Sequence, residues 1–156
     1  MSNYDQRTED LWATLDPQDE VFIAAVDEAR LATERQRLPE QRRTLLKTPT
    51  YGLKNRFSMW ESLVRRMEQN WAPSGYYLVD EYLNDLSSRS ALSEILADAP
   101  DTTRTKLSQA LSALDERFFQ NTVVDGGIEL GRWRANRPPN ILPFLWERKP
   151  RHLPWN

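Results

Sequence analysis

Apolar positions along the chain fall into blocks of helical period. Leu53, Phe57, Trp60, Val64, Met67 and Trp71 are spaced four, three, four, three, four, a single stripe that predicts an amphipathic helix. Met59 and Leu63 widen that face. Leu107, Leu111, Leu114 and Phe118, spaced four, three, four, predict a second helix over 105–119. A third is expected from Tyr76 onward: Val79, Tyr82, Leu83 and Leu86 share one face, and Ala91, Leu92, Ile95 and Leu96 extend it.

Upstream, Thr8 to Leu15 reads as a short helix carrying Leu11, Trp12 and Leu15 on one side. Asp16-Pro17 is an N-cap followed by a proline at the first helical position, and Asp19 and Glu20 put negative charge at the positive end of that helix. It is expected to run to Arg37 and to bury Val21, Phe22, Ala25, Val26 and Ala29. Pro39 restarts the chain for a further helix over Gln41–Lys47. Thr48-Pro49-Thr50-Tyr51-Gly52, Ala72-Pro73-Ser74-Gly75 and Pro100-Asp101 are breaks.

The last quarter changes character. In Val123-Val124-Asp125-Gly126-Gly127-Ile128-Glu129-Leu130 a turn signal lies between short apolar runs, which predicts a small hairpin. Pro138, Pro139, Pro143, Pro150 and Pro154 then forbid any long helix. This tail nonetheless carries Trp133, Phe144, Trp146 and Trp155, more large apolar groups than a disordered tail is expected to hold. The expected fold is mainly α. It is a compact bundle of about five helical segments over 8–120, with a small C-terminal β-hairpin and an extended Pro/Trp-rich strap over 121–156 packed on the bundle. The whole of 1–156 is read as one domain.

Composition narrows the chemistry. The 156 residues contain no Cys, which removes thiol nucleophiles, disulfides and Cys-ligated metals, and a single histidine, His152, which cannot build a multi-histidine site. No nucleotide-binding loop, nucleophile elbow, zinc-protease motif or calcium loop occurs. Asp125-Gly126-Gly127 lacks the spacing and lysine of a phosphate loop. His152 is read as a surface or packing residue. No cofactor and no metal are expected, and an enzyme using carboxylates and arginines ranks last among the readings. The opening MSNYDQRTED has no apolar core of a secretory leader and no run is long enough to span a membrane, so a cytoplasmic protein without a membrane partner is expected.

The net charge of −2 conceals strong blocks. Residues 1–29 carry one base against eight acids, residues 30–66 ten bases against three acids, and residues 67–101 one base against seven acids. Opposite blocks are expected to pair where they meet, and a block that stays open would face a charged partner.

On the helix beginning near Tyr76, Tyr77, Asp80, Glu81, Asn84 and Asp85 fall on the side opposite the apolar stripe. Three carboxylates, an amide and a phenol on one face suit the docking of a basic protein, with tyrosine as anchor and carboxylates steering the encounter. The expectation is therefore a non-catalytic binding protein, an immunity-like or antitoxin-like inhibitor of a basic partner. The alternative is a nucleic-acid-associated protein using the basic 30–66 block, with Arg42, Arg43, Arg65 and Arg66 as phosphate contacts.

Overall fold

A computed structural model describes residues 8–71, 77–125, 130, 142, 145 and 147–155. In chain order its elements are α1 (Thr8–Trp12), α2 (Pro17–Gln36), α3 (Glu40–Arg43), α4 (Leu53–Glu68), α5 (Val79–Ala97), α6 (Asp101–Gln120), β1 (Thr122–Val124) and β2 (Arg148–Pro150). The fold is mainly α with a small two-stranded C-terminal sheet, as the periodicity predicts.

Helix α4 is the axis of the molecule and contacts α1, α2, α5 and α6. Its stripe of Leu53, Phe57, Trp60, Leu63, Val64 and Met67 is buried throughout. The α5 residues Tyr82, Leu86, Leu92 and Leu96 and the α6 residues Leu107, Leu111, Leu114 and Phe118 close over it. Trp60 packs against Phe118 at 4.7 Å between ring centroids, and Trp12 meets Phe57 edge-on at 5.5 Å. Each such side chain contributes about 1.5–3 kcal/mol by leaving water.

The core also holds oriented charge. Arg89 of α5 grips Asp115 of α6 through two bonds, Nε–Oδ1 at 2.8 Å and Nη2–Oδ2 at 2.6 Å, and the Trp60 indole donates to the same Asp115 Oδ1 at 3.0 Å. Arg117 of α6 holds Glu68 of α4 in the same bidentate way. Paired forks of this kind fix register as well as energy.

Helix α2 differs from its expected docking. Asp16 caps it and exchanges bonds with Asp19, with Pro17 at its first position, as the sequence indicates. Of the apolar set Val21, Phe22, Ala25, Val26 and Ala29 only Phe22 and Val26 pack against the core. Val21 is 70% exposed and Ala25 and Ala29 face solvent, while Phe22 and Val26 are half-buried. The side facing the bundle carries Asp19, Ile23, Asp27 and Glu34, at intervals of four, four and seven. Asp19, fully buried, accepts from the Thr103 hydroxyl and from Lys106, both at 2.5 Å. Asp27 accepts the Leu53 amide at 2.9 Å, and Glu34 accepts the amides of Thr50 and Tyr51 at 2.9 and 3.1 Å. Carboxylates that cap the turn before α4 and neutralise Lys106 thus set the rotation of α2. At Gly52 the Asp27 carboxylate comes so close that an added Cβ would lie 3.1 Å from its Oδ1.

The chain after Pro39 forms only one helical turn, α3, rather than the helix expected to Lys47. Helix α4 ends with Asn70 and Trp71 both at positive φ, and the Trp71 amide returns to the Arg66 carbonyl at 2.7 Å. Arg104 of α6 closes the end of α5 by donating to the carbonyls of Leu96, Ala97 and Ala99.

Strand β1 pairs antiparallel with β2 in the register Thr122 with Pro150 and Val124 with Arg148. Its described partner is 148–150; the turn expected at Asp125-Gly126 falls on 126–129, which lie outside the described residues. Asp125 is buried, accepts the Leu130 amide at 3.0 Å and lies 3.8 Å from Lys149. Its carboxylate links Leu130 to Lys149 of β2. The described parts of the tail do pack on the bundle. Leu145 is in the core, Trp155 lies 5.6 Å from Tyr82, the Tyr82 hydroxyl donates to the Arg148 carbonyl, and the Trp71 indole donates to the His152 carbonyl at 2.8 Å. Trp133, Phe144 and Trp146, the other expected anchors, lie outside the described residues, as do Pro138, Pro139 and Pro143.

Candidate functional site

The acidic face starts where α5 starts, and that start is later than the pattern suggests. Leu78 has extended backbone (φ −98°, ψ 160°), so Val79 is the first helical residue. The Glu81 carboxylate turns back and accepts the Leu78 amide at 2.6 Å, which satisfies one of the free donors of the first turn. Asp80 and Glu81 there lie at the positive end of the helix dipole, where anionic side chains are stabilised. From that turn Asp80, Glu81 and Asn84 reach solvent.

Tyr77 is not on this face. It precedes the helix, so the rotation of 100° per residue does not apply to it, and the extended Leu78 sends its ring beneath α5. The ring is 4% exposed, lies 4.9 Å from Trp71 and carries the Arg66 guanidinium at 5.4 Å. An exposed anchoring tyrosine is thereby corrected to a core tyrosine. Its hydroxyl donates to Asp85 Oδ2 at 2.6 Å. Burial pushes the Tyr77 phenol far up from its ordinary range, so it remains a donor.

Asp85 is half-buried below the exposed acids. Burial raises its carboxyl to about 6, and Glu81 pushes the same way; the Tyr77 hydrogen bond and Arg66 pull against both. Between α4 and α5 these groups border a cleft of about 380 Å³ with Ser58, Met59 and Ser62 on the α4 side. Arg66 had a sequence signal only as a phosphate contact, and the structure brings it to the rim of the acidic site. Ser58 and Ser62 carried no signal beyond being a polar pair one helical turn apart.

Among the described residues no ion pair reaches Asp80, Glu81 or Asp85. Four of the upstream cations, Arg30, Lys54, Arg56 and Arg65, are engaged elsewhere. Arg30 pairs with Glu34 at 3.6 Å, Lys54 with Glu20 at 3.4 Å and Arg65 with Glu61 at 3.8 Å. Arg56 binds the Tyr51 carbonyl and Ser88. Of the four arginines expected as phosphate contacts, Arg42 and Arg43 are exposed on α3, whereas Arg65 is half-buried beside Glu61 and Arg66 covers Tyr77. The structure does not bring the two pairs together: α3 packs on α2, and Arg65-Arg66 close the far end of α4.

Within the described residues no group of three or more His, Asp or Glu side chains is arranged to hold a metal ion. His152 is exposed and contributes its carbonyl to Trp71. Among the described residues no helix is long and apolar enough to cross a membrane. Comparison with protein-family models, with curated proteins and with solved structures finds no match.

Proposed function

We propose that the protein is a non-catalytic binding protein that presents the first turns of α5 to a basic partner protein, as an immunity-type or antitoxin-type inhibitor does when it masks a cationic cleft. One observation carries this reading: Asp80 and Glu81 are exposed, and no ion pair among the described residues reaches them, while Arg30, Lys54 and Arg65 pair with Glu34, Glu20 and Glu61. An unneutralised acidic face raises the rate of encounter with a cationic surface and rejects anionic ones.

The contact set is Asp80, Glu81 and Asn84. Tyr77 and Asp85 support it from beneath by holding the entry to α5 against α4. The face sits on a helix buried along its other side, so it is held rigid, which lowers the ordering cost of binding.

Immobilised protein exposed to a native lysate tests the reading. Basic proteins retained by the unaltered chain should be lost from D80K/E81K at moderate salt. Retention of the same proteins by both forms would remove the acidic face from the binding surface.

A further inference from the structure

The opposite charge is gathered at another end of the molecule. Residues 30–56 carry eight bases and two acids. Arg35 donates from Nε and Nη2 to the Leu46 carbonyl, at 3.0 and 2.6 Å, and Arg43 donates from Nε to the Leu38 carbonyl at 3.1 Å. These three bonds tie the end of α2, the single turn of α3 and the segment up to Lys47 into one lobe. Arg37, Arg42, Arg43 and Lys47 are exposed on it, and no ion pair among the described residues reaches them. Of the two acids, Glu34 is buried against Arg30 and the amides of Thr50 and Tyr51, so Glu40 alone faces solvent.

We propose that this lobe is a second binding surface, separate from the acidic face of α5, and that it takes the phosphate backbone of a duplex nucleic acid. Guanidinium forks bind phosphate through two parallel hydrogen bonds, and three of the four exposed cations of the lobe, Arg37, Arg42 and Arg43 beside Lys47, are arginines. Gln36, Gln41, Thr44 and Thr48 lie exposed between them and are of the neutral donor types that accompany phosphate contacts.

The composition of the lobe selects this partner over an acidic protein. The one tyrosine of 30–56, Tyr51, is half-buried with Arg30 and Arg56 over its ring at 5.5 and 5.3 Å. Residues 35–50 contain no aromatic side chain, and protein-binding hot spots are built on Trp, Tyr and Arg seated in apolar pockets. The single exposed apolar group of the lobe, Leu45 at 74%, offers no such pocket. The exposed stretch 35–50 thus offers no ring on which unpaired bases could stack, so contact is to the backbone and independent of sequence.

Fluorescence anisotropy with two labelled duplexes of unrelated sequence, each about 20 base pairs, tests the surface. The expected result is equal binding of both at about 50 mM salt, with a dissociation constant on the order of 10⁻⁵ M. Engagement of three to four phosphates gives a slope of log K against log salt of about −3. Arg37→Glu with Arg42→Glu, at two side chains that hold no described contact, should weaken both duplexes at least tenfold with an unchanged circular dichroism melt. D80N/E81Q should bind duplex no more weakly than the unaltered chain while losing its basic protein partners, which separates the two surfaces. Absence of binding at low salt, binding insensitive to salt, full binding by R37E/R42E, or displacement of duplex by polyglutamate as effectively as by unlabelled duplex would each overturn the proposal.

Discussion

Asp19 and Lys106 form an ion pair of 2.5 Å across the junction of α2 and α6, with the aspartate fully buried and the lysine partly open. The Thr103 hydroxyl and the Asp16 amide complete the carboxylate's shell. Hydrogen bonds from Lys106 and then Thr103 hold the Asp19 carboxyl down at about 2, against the opposing effect of burial. A depressed carboxyl is one that the unfolded chain protonates first. The stabilisation is therefore complete above the unfolded value near 3.8 and is lost as pH falls from there through about 2. Urea unfolding at a series of pH values should show this loss in the unaltered chain and not in D19N. At pH 7 the substitution should cost roughly 2–3 kcal/mol, because it strips a lysine of its partner and leaves a less favourable acceptor for Thr103.

Asp85 carries the opposite sign. With its carboxyl raised from 3.8 to about 6, the native state binds the extra proton between those values. This site's contribution to stability therefore falls as pH rises from about 4 to 6, and the ionised form is a standing cost at neutral pH. D85N should remove that slope. Y77F removes a hydrogen bond that favours the ionised form and should move the Asp85 midpoint upward in a carboxyl NMR titration; an unmoved midpoint would dissociate the two groups.

The Arg89–Asp115 pair predicts an asymmetry. Asp115→Ala leaves a buried guanidinium and the Trp60 indole without their acceptor and should cost about 3–5 kcal/mol in denaturant unfolding. Replacing both partners together, as R89M/D115L, should recover the part of that loss due to the unpaired guanidinium, since well-packed apolar pairs substitute for buried ion pairs at little or no cost. The Trp60 indole, still without an acceptor, keeps the remainder.

The C-terminal strap is held at Tyr82 by a hydroxyl that donates to the Arg148 carbonyl from a fully buried ring. Tyr82→Phe should cost about 1 kcal/mol. It should also speed amide exchange in β2 and its partner β1 relative to α4, whose core contacts it does not alter.

The helices of this fold were legible where apolar residues do the packing. On α4 and α6 every residue of the stripe that falls inside the helix is buried, because period and burial coincide. On α2 they do not. Its rotation is set by Asp19, Asp27 and Glu34, and a reading that places polar residues outside turns such a helix the wrong way. The strand pairing escaped for a different reason: β2 lies more than twenty residues beyond β1, and no local signal connects Val124 to Arg148.

The candidate site was legible in part. Asp80, Glu81 and Asn84 face outward as helical geometry requires. Tyr77 does not, since the helix begins two residues after it and a backbone turn decides its direction. That boundary is set by the Glu81 carboxylate reaching the Leu78 amide, a contact three residues apart that the apolar pattern does not contain.

The exposed acids at the start of α5 are the centre of the functional reading, and titration calorimetry is the most direct measurement of them. A basic protein captured from lysate, titrated into the unaltered chain and into D80K/E81K at equal salt, should bind the first with an affinity that falls as salt rises and bind the second at least a hundredfold more weakly. Equal affinity for the two forms would contradict the assignment of this helix face to partner binding.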